Sequence, residues 1–143
     1  MIRATPEMRE FVNRVIEFEM RNSGASAATT PVAFPICEKL RPQWANLMGT
    51  IGFRTLLSRA LTIALQTAPW LRAVHVKADG SLAWSGELET RLDAEEMTAG
   101  STALIAELLA LLEGFIGEIL ALRLMHDAWP ELARNDSDSH KGK

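Results

Sequence analysis

The chain predicts a mainly α-helical domain of four to five helices with one small β-hairpin or tight turn at Asp79-Gly80. Three observations carry this. Apolar residues recur at helical spacing over most of the 143 residues. Proline and glycine mark the segment ends rather than the interiors of a strand pattern. The strand-like text is confined to "VHVKADGSLAW", Val74 to Trp84.

The first helix starts at Thr5-Pro6, where Thr5 can cap and proline at the first position costs no hydrogen bond. Met8, Phe11, Val12, Val15 and Ile16 form its apolar face, Glu10–Arg14 and Glu17–Arg21 are favourable i,i+4 pairs, and Asn22-Ser23-Gly24 stops it. A small, polar connector follows, from Ser23 to Thr30. Thr30-Pro31 repeats the cap-plus-proline start, and Pro42 is expected to close or kink that segment after Arg41. A short helix is expected from Pro42 to Met48, and "MGTIGF" is either a chain break or a close helix–helix approach at Gly49 and Gly52. Phe53 to Ala68 reads as an amphipathic helix, with Phe53, Leu56, Leu57, Ala60, Leu61 and Ala64 on one side.

Asp79-Gly80 is a two-residue hairpin signal that pairs Ala78 with Ser81, Val76 with Ala83 and His75 with Trp84. Asp93 with Glu95-Glu96 opens the last helix, which runs toward Asp127 with Gly100-Ser101 as a possible break. Residues 1–134 form one helical domain in this reading, and 135–143 are a disordered polar tail.

The last long helix carries the functional expectation. On a wheel of about 100° per residue, Leu104, Ile105, Leu108, Leu109, Leu111, Leu112, Phe115, Ile116, Ile119, Leu120 and Leu122 share one half and should build the core. Ala106, Ala110, Gly114, Gly117 and Ala121 form a small-residue stripe opposite, edged by Glu107, Glu113 and Glu118. Glycine inside an exposed helix costs about 0.8–1.0 kcal/mol against alanine, so two on one stripe point to a close helix neighbour. That neighbour is a helix of this chain or of another copy, and the stripe is the expected interface of a homo-oligomer, or of a second protein. Three glutamates and Arg123 make a membrane span of this stretch unfavourable.

Other chemistry is sparse. The net charge is -3 with a pI near 5.6, and no Lys/Arg cluster lies on a predicted face to form a basic stripe for nucleic acid. A single cysteine, Cys37, allows no intrachain disulfide, and cytoplasm is the expected compartment. There is no CxxC, HxxxH or HExxH spacing, no phosphate-cradling glycine motif, and no nucleophile with a base beside it, so no metal, cofactor or catalytic residue is assigned. Arg54 and Arg123 intrude on apolar faces and are the candidates for an anionic ligand. The expected function is therefore a non-enzymatic, cytoplasmic interaction or regulatory protein that self-associates through its last helix. The alternatives are a helical bundle binding a small anionic ligand, and a membrane-active effector.

Overall fold

A computed structural model describes residues 6–23, 32–84, 94–130 and 132. Within them the protein is a helical bundle with one antiparallel hairpin: α1 (Pro6–Ser23), α2 (Ala33–Ala64), a 3-10 helix (Pro69–Ala73), β1 (Val74–Val76), β2 (Leu82–Trp84), α3 (Ala94–Ile116) and α4 (Glu118–Ala128). The mainly helical class expected from the periodicity is the class observed. The expectations resting on Thr5, Thr30, Pro31, Asp93 and the tail lie outside the described residues.

α2 and α3 are the principal pair, with α1 and α4 packed against them. Apart from buried Glu19 and Ser101, the core is apolar: Val12, Val15 and Ile16 from α1; Ile36, Leu40, Trp44 and Leu57 from α2; Leu104, Leu108 and Leu112 from α3; Met125 from α4, with Trp129 just beyond it. Burial of each such side chain stabilises by about 1.5–3 kcal/mol.

Pro42 does not close its segment. The helix runs from Ala33 through Pro42, and the residue that leaves helical geometry is Gly49, at φ 82° and ψ 160°. Pro42 is exposed; its ring removes the hydrogen bond an N–H would make to Glu38 and crowds that carbonyl, yet the helix continues past it. Gly49 occupies a backbone region essentially reserved for glycine. The reason for the break is phase. Before it the buried residues are Ala33, Ile36, Cys37, Leu40 and Trp44; after it they are Phe53, Leu57, Ala60 and Ala64. At about 100° per residue the two sets point roughly 150° apart, and a straight helix would bury only one.

The start of α2 has no local cap. Val32 occupies the N-cap position without a side-chain hydrogen bond. Instead, the Ala33 N–H donates to Ser101 Oγ of α3 at 3.3 Å, and Ser101 is fully buried. One of the four unpaired donors at this helix end is thus satisfied from another helix.

The hairpin is shifted by one residue from the expected register: Val74 pairs with Trp84, His75 with Ala83 and Val76 with Leu82. A two-residue turn of the expected type needs positive φ at both Asp79 and Gly80, and only Gly80 has it, at 90°. The loop is therefore Ala78-Asp79-Gly80, closed by Gly80 N–H to Lys77 O at 2.9 Å and Lys77 N–H to Ser81 O at 2.7 Å. Asp79 Oδ1 accepts from the Ser81 N–H and hydroxyl at 2.9 and 2.6 Å, and these bonds hold its carboxyl below the usual range. The slip turns the side chains of β2 to the opposite face relative to those of β1, so that Val76 shares a face with Leu82 instead of Ala83.

The third helix passes through Gly100-Ser101 unbroken. Gly100 is there for contact: a Cβ on it would lie 2.4 Å from Trp70 Cζ2. The break comes later, at Gly117.

Candidate functional site

Helical hydrogen bonding continues to the break from both sides. The Gly117 N–H donates to Glu113 O at 2.7 Å, and the Ala121 N–H donates to Gly117 O at 3.0 Å. Between these bonds, one residue changes the chain direction: Gly117 has φ 94° and ψ 156° and caps α4 without a side-chain bond. Like Gly49, it sits where only glycine is comfortable.

The break rephases the helix. α3 buries Leu104, Ile105, Leu108, Leu109 and Leu112, whereas α4 buries Ala121 and Met125. On one continuous wheel these two sets lie more than a third of a turn apart, at about 100° per residue. The stretch from Thr102 to Met125 is therefore two helices with different inward faces, and the expectation of a single leucine side is corrected at its C-terminal end. Phe115 is 65% exposed, Ile119 87% and Leu120 39%, although the wheel assigns all three to the core. With Ile116, Gly117, Glu118 and Arg123, Ile119 and Leu120 border a shallow depression of about 500 Å³.

The small-residue stripe is divided among different surroundings. Ala110 and Ala121 are buried in the chain's own packing. Gly114 and Gly117 are exposed at the break. Ala106 is half-buried and borders a separate cleft of about 310 Å³ between α1 and α3, with Arg9, Asn13, Thr102 and Glu107 around it. Of the five residues, the two glycines remain on the surface with the apolar cluster. The signal that could have found this cluster was Gly117-Glu118, a glycine followed by an acidic residue suited to the first turn of a new helix.

The two candidate ligand arginines do not line a common cleft among those described. Arg123 is exposed beside the break. Arg54 is half-buried on α2, and its Nε is buried with no hydrogen-bond partner among the described residues. Glu113 Oε1 and Trp44 Nε1 are in the same condition. No group of three or more His, Cys, Asp or Glu able to hold a metal occurs among the described residues. Cys37 is 1% exposed, and burial, with a smaller contribution from Glu38, pushes its thiol up to about 12. A nucleophile needs the thiolate, which this environment disfavours.

One polar cluster secures the end of α4. Glu19, 4% exposed, accepts from Trp129 Nε1 at 2.8 Å and from Lys39 Nζ at 2.5 Å, joining α1, α2 and the chain just after α4. Phe11 and His126 stack edge-on at 4.9 Å between α1 and α4. The segment Glu95–Ile116 is long and apolar enough to cross a membrane by length and composition, and 44% of an apolar 18-residue stretch within it is buried in the bundle. Comparison with known protein families, curated proteins and solved structures finds no match.

Proposed function

We propose that this protein is a non-enzymatic, cytoplasmic interaction or regulatory protein that self-associates, with the contact centred on the break between α3 and α4. The observation that carries the reading is the clustering of Phe115, Ile119 and Leu120 in solvent around Gly117. Scattered exposed apolar residues are normal on a soluble protein, whereas neighbouring large ones mark contact surfaces. Gly114 and Gly117 add the close approach that small residues permit, and Glu118 and Arg123 supply a polar rim. Burial of Ala110 and Ala121 within the chain supports a contact centred on Gly114 and Gly117 rather than on the whole small-residue stripe.

Light scattering tests it. The full chain at micromolar concentration is expected to be a dimer or larger. Ile119→Glu, and independently Gly114→Leu, should weaken assembly while circular dichroism stays helical. A monomeric wild type with both variants unchanged removes the reading.

A further inference from the structure

We propose that the contact surface is the whole end of the bundle at which α2 and α3–α4 both turn back, and that the same end of a second copy covers it. This deepens the self-association reading and rests on it.

Both long helical stretches double back, at glycines of matching geometry. α2 has 32 residues and would be about 48 Å long if straight, at 1.5 Å per residue. Yet both of its ends meet one level of α3. The Ala33 N–H bonds Ser101 Oγ, while Thr67, just past Ala64, borders a cleft with Ala99, Thr102 and Ala103, and Trp70 lies against Gly100. The turning point is Gly49, across which Trp44 and Phe53 meet edge-on at 6.1 Å. α4 likewise returns along α3. Phe11 meets His126, and its neighbours Arg9, Val12 and Asn13 border a cleft with Ala106 and Glu107. On a straight helix, residues 106 and 126 would be about 30 Å apart. Gly117 is that turning point, at φ 94° and ψ 156° against 82° and 160° for Gly49.

The two corners lie at the same end. From the Ala33–Ser101 bond, sixteen residues lead to Gly49 and sixteen to Gly117, about 24 Å in each case. α2 packs along α3, whose buried residues beyond Ser101 extend to Leu112, and it also touches α4, which begins beyond Gly117. The two arms therefore run in the same direction.

This end holds every exposed large apolar side chain among the described residues. Leu47 and Ile51 flank Gly49 two residues to either side; Phe115 and Ile119 flank Gly117 in the same way, with Leu120 next. At about 200 Å² for a large side chain, their exposures amount to roughly 600 Å² of apolar surface, of which the Gly117 corner supplies under roughly 400 Å². Two copies joined through that corner alone would bury about 800 Å² of it at most, the scale of a packing contact, whereas both corners together pass the roughly 1,000 Å² of a stable interface. Among the described residues no other apolar patch exists with which a copy could cover this end, so the contact is the same end against itself and closes as a dimer.

The charges agree. Within six residues of a corner glycine stand Arg54 and Arg123, Glu113 and Glu118. Arg54 Nε and Glu113 Oε1 are buried without a hydrogen-bond partner among the described residues. A rim carrying both signs equally is self-complementary about a two-fold axis, whereas an anionic lipid surface selects an excess of cations.

Sedimentation equilibrium on the full chain tests this. The parent is expected to be a dimer. Ile51→Glu should raise its dissociation constant at least tenfold, as Ile119→Glu should, because each carboxylate enters a two-fold contact twice. Both positions are exposed, so circular dichroism should not change. Gln66→Glu, exposed just past the far end of α2, should leave the constant as it is. Weakening by Ile119→Glu alone overturns the two-corner surface and leaves self-association at Gly117 standing. Weakening by Ile51→Glu alone, or by neither, overturns both readings, and so does a monomeric parent. If that monomer floats with vesicles of phosphatidylcholine and phosphatidylglycerol, lipid takes the place of the second copy. A species larger than a dimer overturns the two-fold pairing. Nitroxides at Thr50→Cys and, separately, Gln66→Cys in a Cys37→Ala chain read the geometry. End-to-end pairing makes the second interspin distance about 40 Å longer than the first, and equal distances overturn it. Should the Cys37→Ala chain misfold, the Ile51→Glu result decides.

Discussion

Gly100→Ala separates local propensity from tertiary packing at one position. In an isolated helix the substitution stabilises by about 0.8–1.0 kcal/mol. In this bundle the new Cβ would lie 2.4, 2.6 and 2.7 Å from Cζ2, Cε2 and Nε1 of Trp70. Carbon atoms in comfortable contact are about 3.5–4.0 Å apart, so the indole must retreat by about 1 Å. It has little room to do so. Trp70 is 8% exposed, and its Nε1 donates to Glu96 O at 3.1 Å. Overpacking of this kind costs about 1–3 kcal/mol, and weakening the indole hydrogen bond adds about 0.5–1.5 kcal/mol. Against the propensity gain, the net expectation is a destabilisation of about 1–3 kcal/mol. Urea unfolding followed by circular dichroism reads this as a lower midpoint at unchanged slope. In a Trp70→Phe background the clashing atoms are gone, so the penalty should shrink and the two changes should couple. A Gly100→Ala protein as stable as the parent, or more so, refutes the reasoning.

Two further outcomes are expected. Glu19→Ala leaves Trp129 Nε1 buried without an acceptor, which costs about 1–3 kcal/mol before any cavity is counted. Glu19→Gln should recover most of this, and a loss below about 0.5 kcal/mol for Glu19→Ala in urea titration contradicts the role given to that cluster. Cys37 should resist iodoacetamide in the native chain at mildly alkaline pH and react once unfolded, because its thiol is pushed up to about 12. The folded state therefore holds this proton more tightly than the unfolded chain. That contribution is complete below the ordinary thiol value of 9.0 and is lost as pH rises from there toward about 12. Rapid native alkylation, or an alkaline stability limb unchanged by Cys37→Ala, goes against it.

The helical class, the apolar faces of α1 and α3, and a turn at Asp79-Gly80 were legible in the sequence, because each rests on spacing within a few residues. Gly49 and Gly52 mark a break or a close approach in the sequence, and Gly49 is the break. The phase of Ala33 to Trp44 against Phe53 to Ala64 contains that information, since no single straight face holds both sets.

What local pattern could not decide was where a continuous apolar text changes direction. Leu104 to Leu122 reads as one leucine side only if the helix is straight, and glycine permits either geometry at little cost. Packing of Ala121, Met125 and Trp129 against the rest of the core selects the bend, and that selection leaves Phe115 and Ile119 in solvent. The same holds at Gly100, which looked like a break and is a seat for Trp70, and at Ser101, whose hydroxyl caps a helix 68 residues away in sequence. Sequence alone determined which segments are helical and which residues are candidates for burial. Only the tertiary structure decided which of those residues are buried, because burial belongs to the relative placement of helices, and a single glycine torsion can reassign it.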